Sequence, residues 1–243
     1  GETYRLLLDA DGTFATGALQ YAGTQVGDTL VVSNVAIDSD VYLTLGRATA
    51  SASTTFYSYQ DGNWEDANSW TTDPTGFTQI PVGGQIPGST SSVIVLNGRT
   101  ITIPTGDAIT KTLTSLSLES GAALDITNTT GHDFGVISGE GLLKMNTITL
   151  PTGSFTAFVS SSGGTIEYYD LTGTLPSGLS TYNNLLITNS TASDYTLTLG
   201  SDISLNGDFE LSRTSTGTIT FEIGNSTTVR SFTVEGDVLI NDA

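Results

Sequence analysis

Three segments of this chain repeat one pattern, and that repeat restricts the fold more than any other feature. Each reads apolar, three free positions, Gly, one free position, apolar, one free position, apolar. The copies run from Ile137 to Met145 around Gly141, from Ile203 to Leu211 around Gly207, and from Phe232 to Ile240 around Gly236. A looser relative spans Leu116 to Ile126 around Gly121. Period-two alternation on both sides of a glycine describes strand, bend, strand. The glycine is expected to supply a positive-φ conformation at the bend. One such unit cannot bury its own apolar face. Stacked units bury a continuous inner column and leave Thr, Ser, Asp and Asn to water. The copies begin at Ile137, Ile203 and Phe232, so their spacing is uneven. Uneven spacing suits a solenoid with variable loops better than a propeller with uniform blades. An aligned β-sandwich stays an alternative, because Gly-bounded strands occur there too. The expected fold is all-β, a right-handed parallel β-helix (solenoid) preceded by a small β-rich N-terminal module.

Other period-two runs agree, among them Val93 to Leu96, Thr100 to Ile103, Thr196 to Leu199 and Thr218 to Phe221, and no dozen-residue window carries a capped helical stripe. Residues 1–55 hold strand-like runs but no copy of the repeat. They read as a small β module or the end of a preceding β-sandwich. Residues 56–91 collect Phe56, Tyr57, Tyr59, Trp64 and Trp70 and read as an aromatic transition or cap. A solenoid needs its open end covered, which an aromatic cap would do. Flat rings can also stack on sugars, so Tyr57, Tyr59, Trp64 and Trp70 form a candidate carbohydrate platform. Exposed coplanar rings would favour the platform, and buried rings the cap. Residues 92–243 carry the solenoid.

The charge is lopsided, with 25 acidic residues against seven Lys and Arg and a formal net charge of −18 among 243 residues. Such a surface repels phosphate backbones and anionic membranes, so no nucleic-acid partner and no direct membrane insertion are expected. No cysteine is present, which removes disulfides, zinc–thiolate sites and thiol catalysis. No run is apolar and long enough to span a bilayer. No signal peptide opens the chain at Gly1, and both ends read as cuts in a longer polypeptide.

Tyr57-Ser-Tyr-Gln-Asp-Gly-Asn-Trp64-Glu-Asp-Ala-Asn-Ser-Trp70 resembles the opening of repeat modules in very large surface proteins of the Bacteroidetes. Val93 to Ile103, Leu116 to Asp125, Gly131 to Lys144 and Gly163 to Tyr169 resemble later parts of the same modules, so the resemblance covers roughly residues 56 to 243. It implies a parallel β-helix, export by the type IX system, an extracellular or cell-surface location, and a role in adhesion or gliding motility. It carries no catalytic residues.

Candidate chemistry is sparse. A β-helix hydrolase needs two carboxylates at about 5–10 Å, and a lyase needs a basic group with cations to neutralise an acidic sugar. The tightest acidic groups are Asp9/Asp11, Asp38/Asp40 and Glu65/Asp66, and the cations are few and scattered. His132, the only histidine, sits in a Gly-bounded turn and reads as a locally hydrogen-bonded residue. Asp9 and Asp11 resemble the start of a calcium loop, but the twelfth position is Gln20. Asp61, Asn63, Glu65 and Asp66 form a second candidate calcium loop. Calcium is thus the one cofactor the sequence leaves open. Thr-x-Thr pairs such as Thr100/Thr102 and Thr196/Thr198 are too widely spaced for an ice-binding array and suit outward strand positions. Asn128, Asn189 and Asn225 begin N-glycosylation patterns, and Asp28-Thr29-Leu30 resembles an O-glycosylation signal of the same bacterial group. The expected function is a non-catalytic structural or adhesive segment whose partner is a surface or environmental glycan or another cell-surface protein. A carbohydrate-binding module is the second reading, and a glycan-active β-helix enzyme the third.

Overall fold

The computed structural model describes residues 3–9, 19–22, 24–26, 29–32, 35, 41–48, 54–79, 85–225 and 227–242. Two compact units divide the chain, Gly1–Ala52 and Ser53–Ala243. In the first, strand Thr3–Asp9 pairs antiparallel with Leu19–Ala22 on one side and Tyr42–Ala48 on the other, and Thr24–Val26 pairs with Thr29–Val31.

The second unit is a parallel β-solenoid of about six turns. Its long sheet stacks eight strands in order: Gly62–Asn63, Thr100–Thr102, Ala123–Asp125, Leu142–Met145, Thr165–Tyr169, Asn184–Asn189, Phe209–Arg213 and Val238–Asp242. Every neighbouring pair in it is parallel. In the first half, each turn is completed by a second sheet built on Thr55–Ser58, Ser92–Val95, Ser115–Leu118, Asp133–Gly139 and Thr152–Ser154. In the second half, two three-stranded sheets take over that role. One holds Gly173–Thr174, Tyr195–Thr198 and Ile219–Glu222; the other holds Thr181–Tyr182, Ile203–Leu205 and Phe232–Val234. Residues 56–91, expected as a separate transition, therefore supply the first strands of both early sheets as well as aromatic cover.

Alternation places two columns inside the long sheet. Ile101, Leu124, Leu143, Ile166, Leu185, Phe209 and Val238 occupy one register position. Met145, Tyr168, Ile187, Leu211 and Ile240 follow two residues on. Through the first five turns these side chains are fully buried. Each contributes roughly 1.5–3 kcal/mol relative to exposure. The facing sheet adds Phe56, Val93, Leu116 and Ile137, likewise in register and buried.

The repeat glycines act differently from expectation. Gly141, Gly207 and Gly236 are absent from the positive-φ residues, whereas Gly121 of the looser copy has φ +75°. Their constraint is closeness to the preceding turn. A Cβ on Gly141 would lie 2.5 Å from the Glu119 carbonyl oxygen, and one on Gly236 would lie 2.7 Å from the Gly207 carbonyl carbon. The same corner is joined by backbone hydrogen bonds: Thr165 N–H donates to Gly141 O at 2.9 Å, and Gly236 N–H to Gly207 O at 3.1 Å. A side chain there would pry the turns apart. Gly141→Ala should therefore destabilise the solenoid by about 1–3 kcal/mol, the usual cost of overpacking. Gly178→Ala, where nothing lies within 4 Å of the added Cβ and φ is not positive, should be neutral or slightly stabilising. Urea denaturation of both variants checks the contrast, and equal midpoints would refute the packing role.

Candidate functional site

The aromatic residues singled out in the sequence lie at the start of the solenoid. Trp64 and Trp70 are 0 % exposed and Phe56 2 %. The two indoles meet edge to face at 5.0 Å and 70°, Phe56 meets Trp70 at 6.5 Å and 83°, and Trp64 stacks on Phe134 at 6.3 Å. The Trp70 Nε1–H donates to the Trp64 carbonyl at 2.8 Å. Tyr57 and Tyr59 are half-buried, and the Tyr59 carbonyl accepts from the Arg99 guanidinium. Trp64 and Trp70 are buried and crossed, the arrangement of a cap and not that of an exposed, coplanar platform. The rings pack against one another, because burying large rings in crossed contact gains more than exposing them on a narrow edge, while the buried Trp64 Nε1–H has no hydrogen-bond partner among the described residues.

Beside this cluster sits a network the sequence did not announce. Lys111 is buried, and its ammonium contacts the Glu65 carboxylate and donates to Asp107 Oδ2 at 2.8 Å. Lys111 holds the Asp107 carboxyl below its ordinary range, with the Ile109 N–H helping. The Lys111 backbone N–H donates to His132 Nδ1 at 3.1 Å, which assigns the ring proton to Nε2, facing Thr129 Oγ1 at 2.9 Å. The imidazole stacks on Phe134 at 5.6 Å and 2°. Burial, and then the Lys111 charge, push its pKa down. His132 is thus a neutral bridge between turns, with both nitrogens engaged. This exceeds the local turn contact the sequence suggested.

The candidate calcium ligands do not converge. Asp61 Oδ1 accepts from the Thr100 N–H at 2.7 Å, and Glu65 pairs with Lys111. Asp66 Oδ1 accepts from Asn68 N–H at 2.9 Å and caps a short 3₁₀ turn, Ala67–Ser69. The Asn63 carbonyl accepts from Ser69 Oγ. With these oxygens committed to different donors, Asp61, Asn63, Glu65 and Asp66 do not fit a calcium ion, which needs six to eight oxygens around one point. Asp9 is buried on its strand in the first unit, and Asp11 lies outside the described residues. Among the described residues no group of three His, Cys, Asp or Glu is arranged to hold a metal.

Much of the acidity has another use. Along the corners, an acidic or amide side chain of one turn accepts the backbone N–H of the next. The pairs are Asp170 to Ser190 at 2.6 Å, Asn184 to Asp208 at 2.8 Å, Asp194 to Thr218 at 2.8 Å, Asp202 to Ser231 at 2.9 Å and Asp208 to Asp237 at 2.8 Å. Asp61 to Thr100 belongs to the same series. A carboxylate accepting an N–H makes a charge-assisted bond and satisfies a backbone donor that the corner leaves outside the ladder.

The outer face of the long sheet carries the remaining surface chemistry. Lys144 pairs with Glu167 at 3.3 Å and lies 5.3 Å from the Tyr169 ring centre. Glu167 accepts from Thr188 Oγ1 at 2.6 Å, and the Tyr169 hydroxyl donates to Asp125 at 3.0 Å. Burial, and then the Asp125 charge, hold the Tyr169 hydroxyl well above its ordinary pKa. Alongside runs an open groove of about 400 Å³ over Ala123, Leu142 and Leu186, edged by Glu140, Asp208 and Glu210. Its lining contains no cation and no aromatic ring. The protein's class, as far as fold and surface define it, is a parallel β-solenoid with an acidic exterior. No protein-family model, curated protein or solved structure matches the chain.

One corner carboxylate, Asp194, makes stability depend on acid. The Thr218 backbone and hydroxyl hold Asp194 below its ordinary value of 3.8. A depressed folded-state pKa contributes stability that is complete above the unfolded value and is lost as pH falls through the folded one. Asp194→Ala should lower the melting temperature at neutral pH and by less in strong acid, where the native carboxyl is protonated and keeps only a neutral acceptor oxygen. Asp194→Asn, which keeps the acceptor oxygen, should retain more stability than the alanine variant. Thermal unfolding across pH checks this, and a deficit that is constant with pH would refute it.

Proposed function

We propose that this chain is a non-catalytic structural and adhesive segment of an extracellular bacterial surface protein, in which the solenoid acts as a stiff spacer. One observation carries the reading: eight strands stack in a single parallel ladder over a continuous apolar column, inside an acidic exterior. Each turn advances ~4.8 Å, so length grows by adding turns without a new core. Excess negative charge keeps such a rod soluble and discourages contact with anionic polymers. The resemblance of Tyr57 to Trp70 and the later segments to modules of large Bacteroidetes surface proteins supports placement at the cell surface and a role in adhesion or gliding. The partner is a glycan or another surface protein. A glycan would meet the long-sheet groove, because Trp64 and Trp70 are buried.

Coupling the full chain to beads and presenting them to glycan arrays and to bacterial cells tests the proposal. Retention on a neutral glycan or on cells is expected, with no released sugar product. Trp64→Phe with Trp70→Phe should lower thermal stability and leave retention of the folded protein unchanged. Absence of retention on every surface would sink the adhesive part, and release of cleaved sugars would reassign the chain as an enzyme.

A further inference from the structure

His132 joins three turns where the second sheet is least regular. The turn below meets it through an isolated bridge, Thr112 to Asp133, and regular pairing resumes only at Ser115 and Val136. The register to the turn above shifts between Asp133 and Val136. In this gap the Lys111 N–H is accepted by a ring nitrogen, His132 Nδ1 at 3.1 Å, in the place a carbonyl would hold. The Asp133 N–H donates to the Lys111 carbonyl at 2.8 Å, and the Thr152 N–H of the turn above donates to the His132 carbonyl at 2.8 Å. Lys111 is 4 % exposed and His132 1 %, so water cannot stand in for the ring. The tautomer is fixed from the far side. The Thr129 hydroxyl donates to the Ile126 carbonyl and therefore accepts from Nε2–H. Nδ1 is then the one place for a second proton, and an N–H already points at it.

We propose that His132 is an acid-sensitive clip, whose protonation at Nδ1 releases the Lys111 segment from the next turn while the long sheet stays paired. Two donors would face each other at Nδ1, and the buried Lys111 N–H would lose its acceptor. The new charge would also lie beside the Lys111 ammonium. Asp107 and Glu65, both paired with that ammonium, offset part of the repulsion. Neither relieves the clash of donors. Asp133 is exposed and turns its carboxylate to the Gly135 N–H at 3.0 Å. Phe134, stacked on the ring, is neutral. The turn above brings no charge, since residues 145–166 contain no Asp, Glu, Lys, Arg or His. The fold thus favours the neutral ring. Its contribution is complete above the ordinary value of 6.5 and is lost as pH falls below it.

Hydrogen exchange of the full chain, followed by NMR at about pH 7.5 and about pH 5, where carboxylates stay ionised, tests this. After correction for intrinsic rates, protection of the Lys111 and Asp133 N–H groups should fall about tenfold in acid, the usual effect of leaving one buried donor unpaired. Ala123 and Leu142, held by the Arg99 and Ala122 carbonyls in the long sheet, should keep theirs. His132→Asn places an amide oxygen near the Nδ1 position and cannot titrate, so its protection should not depend on acid. In the unmutated chain the ring signals of His132, the only histidine, should titrate below 6.5. Equal protection of Lys111 at both pH values, the same acid loss in the asparagine variant, or a ring that titrates above 6.5 would each overturn the proposal.

Discussion

The structure depends on one constraint: the apolar residues of successive turns must fall at the same register position. Leu124, Leu143, Ile166 and Leu185 stack in register with their neighbours above and below, so each turn is stable because an equivalent turn lies beside it. A one-residue slip would send Leu143 and Met145 outside and Lys144 inside, which a buried column does not tolerate. Variation in turn length is therefore pushed into the loops. Between Met145 and Thr165 the chain makes a long excursion; between Tyr168 and Asn184 it builds short strands of two further sheets. The ladder stays in step throughout.

Corners are where that constraint meets the backbone. Turns that stack at strand spacing bring corner atoms so close that Gly141, Gly207 and Gly236 must lack a Cβ. The same corners strand backbone N–H groups, which Asp and Asn side chains of the preceding turn accept. The acidic composition is therefore in good part structural. The cations are used in the same way: Arg99 reaches the Tyr59 carbonyl, Lys111 joins Glu65 to Asp107, and Lys144 joins Glu167 across the ladder. These three cations tie turns together within the first half of the solenoid.

The inner columns were legible in the sequence because period-two alternation survives in every turn, and the glycine-centred pattern located the bend. What the pattern could not distinguish was the reason for the glycine, since a positive φ and a close backbone approach leave the same letter. Trp64 and Trp70 suit a cap, as large rings more often pack than bind, but the letters leave a platform open, and their crossed geometry and burial separate the two. The Asp61 to Asp66 loop looked like converging oxygens because acidic residues crowd there in sequence. In space Asp61 and Asp66 turn to backbone N–H groups, the Asn63 carbonyl to the Ser69 hydroxyl and Glu65 to Lys111. The pairing of Asp194 with Thr218 carried a usable signal, one turn of separation, but it becomes readable only when the turn length is known. Glu65 and Lys111 had no such signal. They meet because the first turn folds beside the third, and no local spacing records that.

The start of the solenoid shows how a parallel ladder is brought to a stop. A parallel sheet offers an equivalent edge at every turn, so its run ends where a strand of opposite direction takes the edge, and Trp70–Thr71 does this beside Thr55–Ser58. At the same level Phe56, Trp64, Trp70 and Phe134 cross one another and bury the apolar column from the side. Backbone direction and crossed rings solve one problem there, because the strand edge and the apolar column are one feature seen from the backbone and from the side chains.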